Sequence, residues 1–316
     1  MCWFSAYYCG DMPNTRPATV TFLYSCIVAT KAVQYANENA LNPFFATVLF
    51  LSVAIAIQKI CPATYSAVSL LAPLYLIIHS AVNFELPSLM VAGCIMPVAM
   101  MLIGGPMSIC LHRYFAHRAF ETSRFVRFIL GVCSCFAFQG GPLWWGRMHL
   151  RHHKFCDRKE DPHSISHAGF WYAFLGWSMN PQNYIELSAE ASHGIVQKHS
   201  YEIELVEQFF FVPPIVACVL YATFAGYTNM IFLLLLPMTI CRLVTALFNV
   251  EYHPAKEDSQ ECQSIDNSRL LAQLVGESKH KHHHTHPRRM HRPDWDFPYW
   301  LVLYPLKSAG VIWNCF

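Results

Sequence analysis

Apolar residues in this chain gather into four runs, at about residues 63–83, 87–110, 207–225 and 229–248, separated by polar sequence. A bilayer core is crossed by about 20 predominantly apolar residues in a helix, so each run is read as a membrane span. Short links, NFELP at Asn83–Pro87 and GYTN at Gly226–Asn229, join the runs pairwise and predict two helical hairpins with tight tips. Neither tip carries a lysine or arginine, whereas residues 112–206 hold ten of the 22 basic residues and the tail after His253 holds eight. Positive charge marks the cytoplasmic side of membrane helices, so both polar regions are expected there. Shorter apolar stretches at about 18–30 and 43–58 predict membrane-associated segments. Their topology stays open: a third hairpin, interfacial helices or one of each. Residues 125–138, apolar but set amid polar sequence, predict a buried or interfacial helix of the polar cap.

Composition agrees with a membrane protein: 54% of the residues are hydrophobic, 15% aromatic and only 13% charged. A net charge of +2 supplies no basic excess for nucleic acid and no call for an acidic partner. Most of the thirteen cysteines, including Cys94, Cys110, Cys133, Cys135, Cys218 and Cys241, lie in apolar runs without CxxC spacing and are expected to be reduced packing residues. The N-terminus lacks the basic region of a signal peptide and the pattern of a transit peptide, so targeting is unreadable. With no internal repeats or Gly/Ser linkers, the expected fold is an all-α integral membrane protein. Two transmembrane hairpins, with possible extra N-terminal segments in residues 1–60, carry a cytoplasmic histidine-rich helical cap.

Seventeen histidines bring in the chemistry. Only His79 falls inside an expected span, which argues against a membrane haem protein with axial histidines in its helices. His112 and His117, in HRYFAH, come directly after the second span. At roughly 100° per residue, five positions leave their rings about 140° apart on a regular helix, so they converge only if the helix loosens or a metal lies between them. HLRHH sets His149, His152 and His153 at i, i+3 and i+4 on one helical face, a spacing that favours a ligand set over a solvated basic face. GESKHKHHHTHPRRMH, Gly276–His291, contains six histidines, and the same spacing picks out His280, His283 and His284 alone. His282, His286 and His291 are left as surface or supporting residues.

Asn249 and His253 stand one turn apart at the end of the fourth run, with Arg242 seven residues earlier on nearly the same face. An asparagine there can cap a helix, but its register with His253 favours contact with a metal or a metal-bound water. Nine histidines and an asparagine exceed the shell of one ion, so two metals are expected. Imidazole suits zinc, copper, nickel and iron alike, and ligand type alone does not choose among them. Asp157, Asp161, Glu251, Asp266 and Glu277 lie near these histidines in sequence and are candidates to orient the rings.

The order His-x4-His, His-x2-His-His, Asn-x3-His, His-x2-His-His, over about residues 60–316, resembles the membrane-bound fatty acyl desaturases, most closely the acyl-CoA Δ9 (stearoyl-CoA-like) branch. GPLWWGRMHLRHHKFCDRKEDPHS with GFWYAFLGW, DNSRLLAQLVGESKHKHHHTHP, and the closing DWDFPYWLVLYPLKSAGVIW are similar to the family's later boxes and C-terminal segment. The resemblance implies a desaturase domain over 61–316. Two irons would be bound by His112, His117, His149, His152, His153, His253, His280, His283 and His284, with Asn249 reaching one through water. It further implies that dioxygen and two electrons desaturate an acyl chain held in a bent apolar tunnel, with Trp145 and Arg147 meeting the substrate. An acyl-CoA thioester is the expected substrate, with acyl-lipid and acyl-carrier-protein forms left open.

The chain departs from the family in places. Ser278 and Lys279 stand where the family commonly has Gly-Trp, and HSISHAGF lacks the basic pair that would accompany Arg147 near a CoA headgroup. Arg147 also has a simpler reading as a juxtamembrane arginine meeting lipid phosphate. No fused cytochrome b5 motif is present, so electrons are expected from a separate acidic donor, cytochrome b5 or a ferredoxin, meeting a basic face at Arg288, Arg289 and Arg292. The expected location is the endoplasmic reticulum for a eukaryotic, non-plastid protein, otherwise a plasma or plastid membrane. A diiron hydroxylase is the nearest alternative enzyme, and a histidine-rich metal transporter the alternative from another class.

Overall fold

The computed structural model describes residues 62–83, 86–185, 200–255 and 261–316. The stretches at 18–30 and 43–58, and the N-terminal region 1–60 with them, lie outside the described residues. Two described helices are each long and apolar enough to cross a membrane: Leu89–Ala116 (α2), 28 residues, and Tyr227–Tyr252 (α7), 26 residues. Both exceed the about 20 residues a bilayer core requires. The surplus carries their C-terminal turns into the polar cap, with His112 near the end of α2 and His253 just past α7. Pro62–Val82 (α1) precedes α2 where the first span was expected, but its apolar part, Ser66–Val82, is shorter than a candidate span. Leu89, Met90, Met101 and Phe224 face outward, as lipid-contacting side chains would.

The third expected span, 207–225, is not one straight helix. Tyr201–Gln208 (α5) and Val212–Ala225 (α6) meet at 62°, and up to four spans result if each such bent pair counts as one. Pro213 and Pro214 explain the break, because proline is accommodated in the first turn of a helix but not in its interior. Arg124–Ser134 (α3) covers the stretch expected as a cap helix and buries Leu130 and Gly131 while exposing Phe125 and Ile129; with the helix that follows, it is also one of the two bent pairs. It turns by 75° into Pro142–Phe155 (α4), the helix of the second histidine box. Phe138 and Gly140 make that turn with positive φ, 62° and 97°.

Three stretches widen to π-helical geometry: Ile103–Ala116 in α2, Ile231–Leu235 in α7, and Tyr299–Leu303, which runs on into Tyr304–Ser308. Each contains a proline, Pro106, or closely precedes one, Pro237 or Pro305. A proline ring crowds the carbonyl four residues back and cannot donate to it, and shifting the ladder to five-residue spacing relieves that clash.

Phe84 and Glu85 in the first hairpin tip lie outside the described residues. The all-α expectation needs a small correction, since Glu121–Thr122 (β1) pairs antiparallel with Ile312–Trp313 (β2). This pairing, with Phe316 N–H donating to Ala119 O at 3.1 Å, ties the C-terminal segment to the chain just after His117. The cysteine expectation is also corrected. Cys94, Cys110, Cys133, Cys135, Cys218, Cys241 and Cys315 are unpaired, but Cys156 and Cys262 form a disulfide across a sequence separation of 106.

Two packing layers fix the cap on the spans. Met230, Ile231, Leu235 and Met238 of α7 pack with Val91 and Cys218 between the apolar helices. Met107, Leu111, Trp144, Trp145, Met148 and Val275 join α2 to α4 beneath the histidines. Glu207 of α5 accepts from the Leu143 and Trp144 N–H groups at 2.7 and 3.1 Å, satisfying the first turn of α4. A Cβ on Gly146 would lie 3.1 Å from the backbone oxygen of Phe115, so the α2–α4 contact requires glycine there. Gly146→Val is expected to push the two helices apart and cost about 1–3 kcal/mol. The check is a drop in the thermal midpoint of the detergent-solubilised protein, with Gly93→Ala, a helical glycine of α2 with open space around it, as the reference.

Candidate metal centre

The widened α2 brings the first pair of histidines together. His117 N–H donates to His112 O at 3.2 Å, a five-residue bond, and the two rings lie 5.0 Å apart. Of the two routes to convergence, the helix takes the loosening one. α4 supplies His149, His152 and His153 from one face, the end of α7 supplies His253, and the short helix His280–Thr285 (α8) supplies the third box.

The rings sort into two groups. His112, His117, His149, His153 and His283 form one, with neighbouring Nε2 atoms 2.9–3.1 Å apart from His117 through His149, His153 and His283 to His112. His152, His253, His280 and His284 form the other, with Nε2 separations of 3.2, 2.9 and 3.1 Å along the series. His153 and His284 stack at 4.2 Å between the groups. Two nitrogens each about 2.1 Å from an ion and at right angles to each other lie about 3.0 Å apart. The observed spacings are compatible with metal ligation in each group.

Three carboxylates fix which ring nitrogens are free. His112 Nδ1 donates to Glu277 at 3.0 Å, His152 Nδ1 to Asp161 at 2.8 Å and His253 Nδ1 to Asp157 at 3.0 Å. A carboxylate only accepts, so in a neutral ring the proton sits on Nδ1 and Nε2 presents a lone pair. Lone pairs of His152 and His253 therefore face each other at 3.2 Å, an arrangement that repels unless a cation stands between them. The donor set thus fits metal ions, as neutral imidazoles oriented from behind.

Burial supports the same state. It lowers the pKa of His280, His283 and His284, the last to about 3, with neighbouring rings adding to the effect for each. Burial alone would raise Glu277, but the His112 ring and the guanidinium groups of Arg292 and Arg113 outweigh it and hold the carboxyl at about 2. Gly276, with φ 75°, allows the chain to pass the fully buried Arg113–Asp296 ion pair (2.7 Å) and aim Glu277 at His112. A Cβ there would lie 2.6 Å from the Asp296 carboxyl.

An apolar cleft opens beside the histidines, about 1240 Å³ including its mouth. Met100, Ile103, Met107 and Phe248 form its walls, and His112, His149, His152 and His280 line it. Trp145 also lines it, stacks on His149 at 5.0 Å, and donates through Nε1 to Gln139, which in turn donates to Thr245. Asn249 borders this cleft and a second one of about 950 Å³, which is walled by Trp144, Gln139 and Arg242. Arg242 donates to Ser66 and Ser69 at 2.9 Å, away from the ring groups. Arg147 lines neither cleft and lies within electrostatic reach of Glu207.

Other expectations divide. Asp157, Asp161 and Glu277 orient rings, whereas Glu251 pairs with Arg269 and Asp266 accepts from the Lys281 N–H. His282 stacks on His286, and His291 on Tyr299, outside both groups. The basic-face expectation is corrected at Arg292, which is buried and contacts His283 Nδ1 through its guanidinium, with its N–H on Asp296. Sequence reasoning missed Asp296, Asp294 and His163. Ser278, the departure beside the third box, is fully buried and donates through both its N–H and its hydroxyl to Asp294, at 3.0 and 2.6 Å. His163 lies against His152 at 4.4 Å beside Asp161, and its place two residues after Asp161 was the available signal.

A helical protein with candidate membrane spans, and two histidine groups able to hold metal beside an apolar cleft, has the make-up of a membrane metalloenzyme for apolar substrates. The chain belongs to the fatty acid desaturase family, whose profile matches residues 87–303. It is 28% identical over 243 residues to a hex-5-enoyl-[acyl-carrier protein] acetylenase of Moorena producens (strain JHB), covering 68% of this chain and 73% of that protein. It is also 29% identical over 169 residues to an sn-1 stearoyl-lipid 9-desaturase of Synechocystis sp. (strain ATCC 27184 / PCC 6803 / Kazusa), covering 52% of each chain. An acyl-CoA desaturase 1 of Tachysurus fulvidraco is 27% identical over 228 residues, 67% of each. The chain thus spans between half and three quarters of these relatives. Its desaturase relatives place it among oxidoreductases acting on fatty acyl chains.

Two outcomes are expected of the site. Asp161→Ala and Glu277→Ala should each weaken metal binding about 10- to 100-fold, as loss of a ring-orienting partner does, whereas Glu251→Ala leaves it unchanged. Metal content after dialysis against graded chelator checks this. Because the folded pKa values of His280, His283 and His284 are depressed, the metal-free protein should keep their contribution to stability above about pH 6.5. It should lose that contribution progressively as pH falls toward 3, the value for His284, read as a falling thermal midpoint.

Proposed function

We propose that this protein is a diiron, dioxygen-dependent desaturase that places a cis double bond in a saturated fatty acyl chain, at Δ9, with the chain delivered as a CoA thioester. The observation that carries the reading is that residues of both histidine groups line one predominantly apolar cleft of about 1240 Å³ including its mouth. Bound iron, with two electrons and dioxygen, would supply an oxidant able to remove hydrogen from an unactivated methylene. His112, His117, His149, His153 and His283 would hold one ion. His152, His253, His280 and His284 would hold the other, with Asn249 reaching it through water.

The remaining residues act by position. Glu277, Asp161 and Asp157 keep Nε2 of their histidines directed inward, and Trp145, braced by Gln139 and Thr245, presses on His149 where the cleft meets the rings. Met100, Ile103 and Met107 exclude water from the methylenes. The four spans form two hairpins with the boxes on the cytoplasmic side, where a separate cytochrome b5 or ferredoxin delivers electrons. Relatives named for acyl-lipid, acyl-CoA and acyl-carrier-protein substrates make the carrier the point to test first.

Expression in a host lacking its own desaturase, with new double bonds then located by mass spectrometry, tests the assignment. A Δ9 monoene is expected, with His149→Ala giving none. An alcohol as the sole product would replace desaturation by hydroxylation, and unchanged lipids with zinc as the native metal would favour a metal-handling protein. Supplying purified protein, donor and dioxygen with stearoyl-CoA, a stearoyl-lipid or a stearoyl-carrier-protein separates the carriers, and product from the thioester of CoA alone is the expected result.

A further inference from the structure

The sulfur atoms of Cys156 and Cys262 lie directly behind the second histidine group. Cys156 Sγ is 3.7 Å from His253 Nδ1, and Cys262 Sγ is 3.6 Å from His284 Nδ1. Cys156 comes just past the end of α4, three residues after His153, while Cys262 belongs to the segment between α7 and α8. Their bond therefore joins the two parts of the chain that carry the second and third boxes.

Hydrogen bonds around the bond lead to the same rings. Asp157, next to Cys156, has φ 61° and accepts on Oδ2 from both His253 Nδ1 and the N–H of Gln263, the residue after Cys262. Asp157 N–H donates to Asp161 Oδ2, the oxygen that also takes His152 Nδ1. Three of the four rings in that group, His152, His253 and His284, are thus backed by residues that the sulfur bridge holds in place. The bridge is reachable as well. Cys156 is buried, but Cys262 is exposed, so an incoming thiolate has a sulfur to attack. On the cytoplasmic side, where the basic residues put the boxes, thiols are kept reduced, and disulfides that occur there are characteristically transient and redox-sensing.

We propose that Cys156 and Cys262 form a reversible thiol–disulfide site that controls how firmly the second histidine group holds its metal. Oxidation by hydrogen peroxide joins the two sulfurs: two thiols and one peroxide give one disulfide and two waters. Reduction by a dithiol breaks the S–S bond, returns a thiol to each cysteine and leaves the dithiol as its own disulfide. In the reduced state Asp157 and Gln263 lose their covalent clamp, and His152, His253 and His284 lose part of their backing. This rests on the reading of these histidines as metal ligands.

The test uses the full chain in detergent, treated with peroxide or with dithiothreitol and compared with Cys262→Ser. Alkylation and peptide mass spectrometry report the Cys156–Cys262 bond. Metal loss to a chelator and amide hydrogen exchange over residues 280–285 report the clamp. Reduction is expected to speed metal loss from the wild-type protein roughly tenfold, the lower end of the weakening caused by removing a ring-orienting partner. It should raise exchange in α8, while Cys262→Ser is fast in both states and indifferent to redox treatment. A peroxide-treated protein whose two thiols remain free, or exchange in α8 unaltered by reduction, overturns the proposal. A protein that binds no metal yet shows the redox-dependent exchange keeps the clamp and removes the diiron reading, so the two fail separately.

Discussion

The Nε2 lone pairs of His152 and His253, whose outer nitrogens both donate to carboxylates, cannot face each other at 3.2 Å without something positive between them. Most of the cap can be understood as the means of enforcing that convergence. Glu277, Asp161 and Asp157 hold protons on the outer nitrogens, and each carboxylate is itself placed by a backbone feature: the positive φ of Gly276, the N–H groups of Asp157 and His163 bonding to Asp161, and the N–H of Gln263 bonding to Asp157. Buried Arg113 and Asp296, paired with each other, keep the third-box segment against α2 without leaving an isolated charge in the interior.

The apolar helices contribute reach and distortion. α2 and α7 exceed the length a bilayer core requires, and His112 near the end of α2 lines the apolar cleft together with Met100 and Met107 earlier on the same helix. The same helix that forms the wall thus presents histidines to whatever occupies the cleft. Proline-linked widening of α2 changes the angular spacing of its last turns, which is why His112 and His117 share a face despite standing five residues apart. Glu207 capping α4 and Gly146 under Phe115 set the height and closeness of the helix bearing the second box.

Legibility in the sequence tracked the range of the interactions. The two long apolar helices and the histidine clusters were readable because each depends on local periodicity: long apolar runs, and histidines at i, i+3 and i+4. The 207–225 run is helical over Val212–Ala225, and what its hydrophobicity did not show is the 62° bend that precedes its two prolines. Carboxylates near the boxes could be named but not sorted. Glu277 and Glu251 look equally close to ligands in sequence, yet one faces His112 and the other pairs with Arg269 on the surface. Arg292 read as part of a basic surface and is buried, because Asp296 and His283 reach it through folds of the chain that composition does not encode.

Sequence alone determined the family resemblance, the candidacy of nine histidines and an asparagine, and the apolar character of the chain, since these are properties of residue type and short spacing. Tertiary structure alone decided how nine rings divide into groups of five and four, which carboxylate backs which ring, and where the cleft meets them. It also brought together Cys156 and Cys262, whose 5.0 Å Cα separation bridges 106 positions of sequence. Contacts of that length depend on how α2, α4, α7 and α8 pack together, and no local pattern of the chain records that packing.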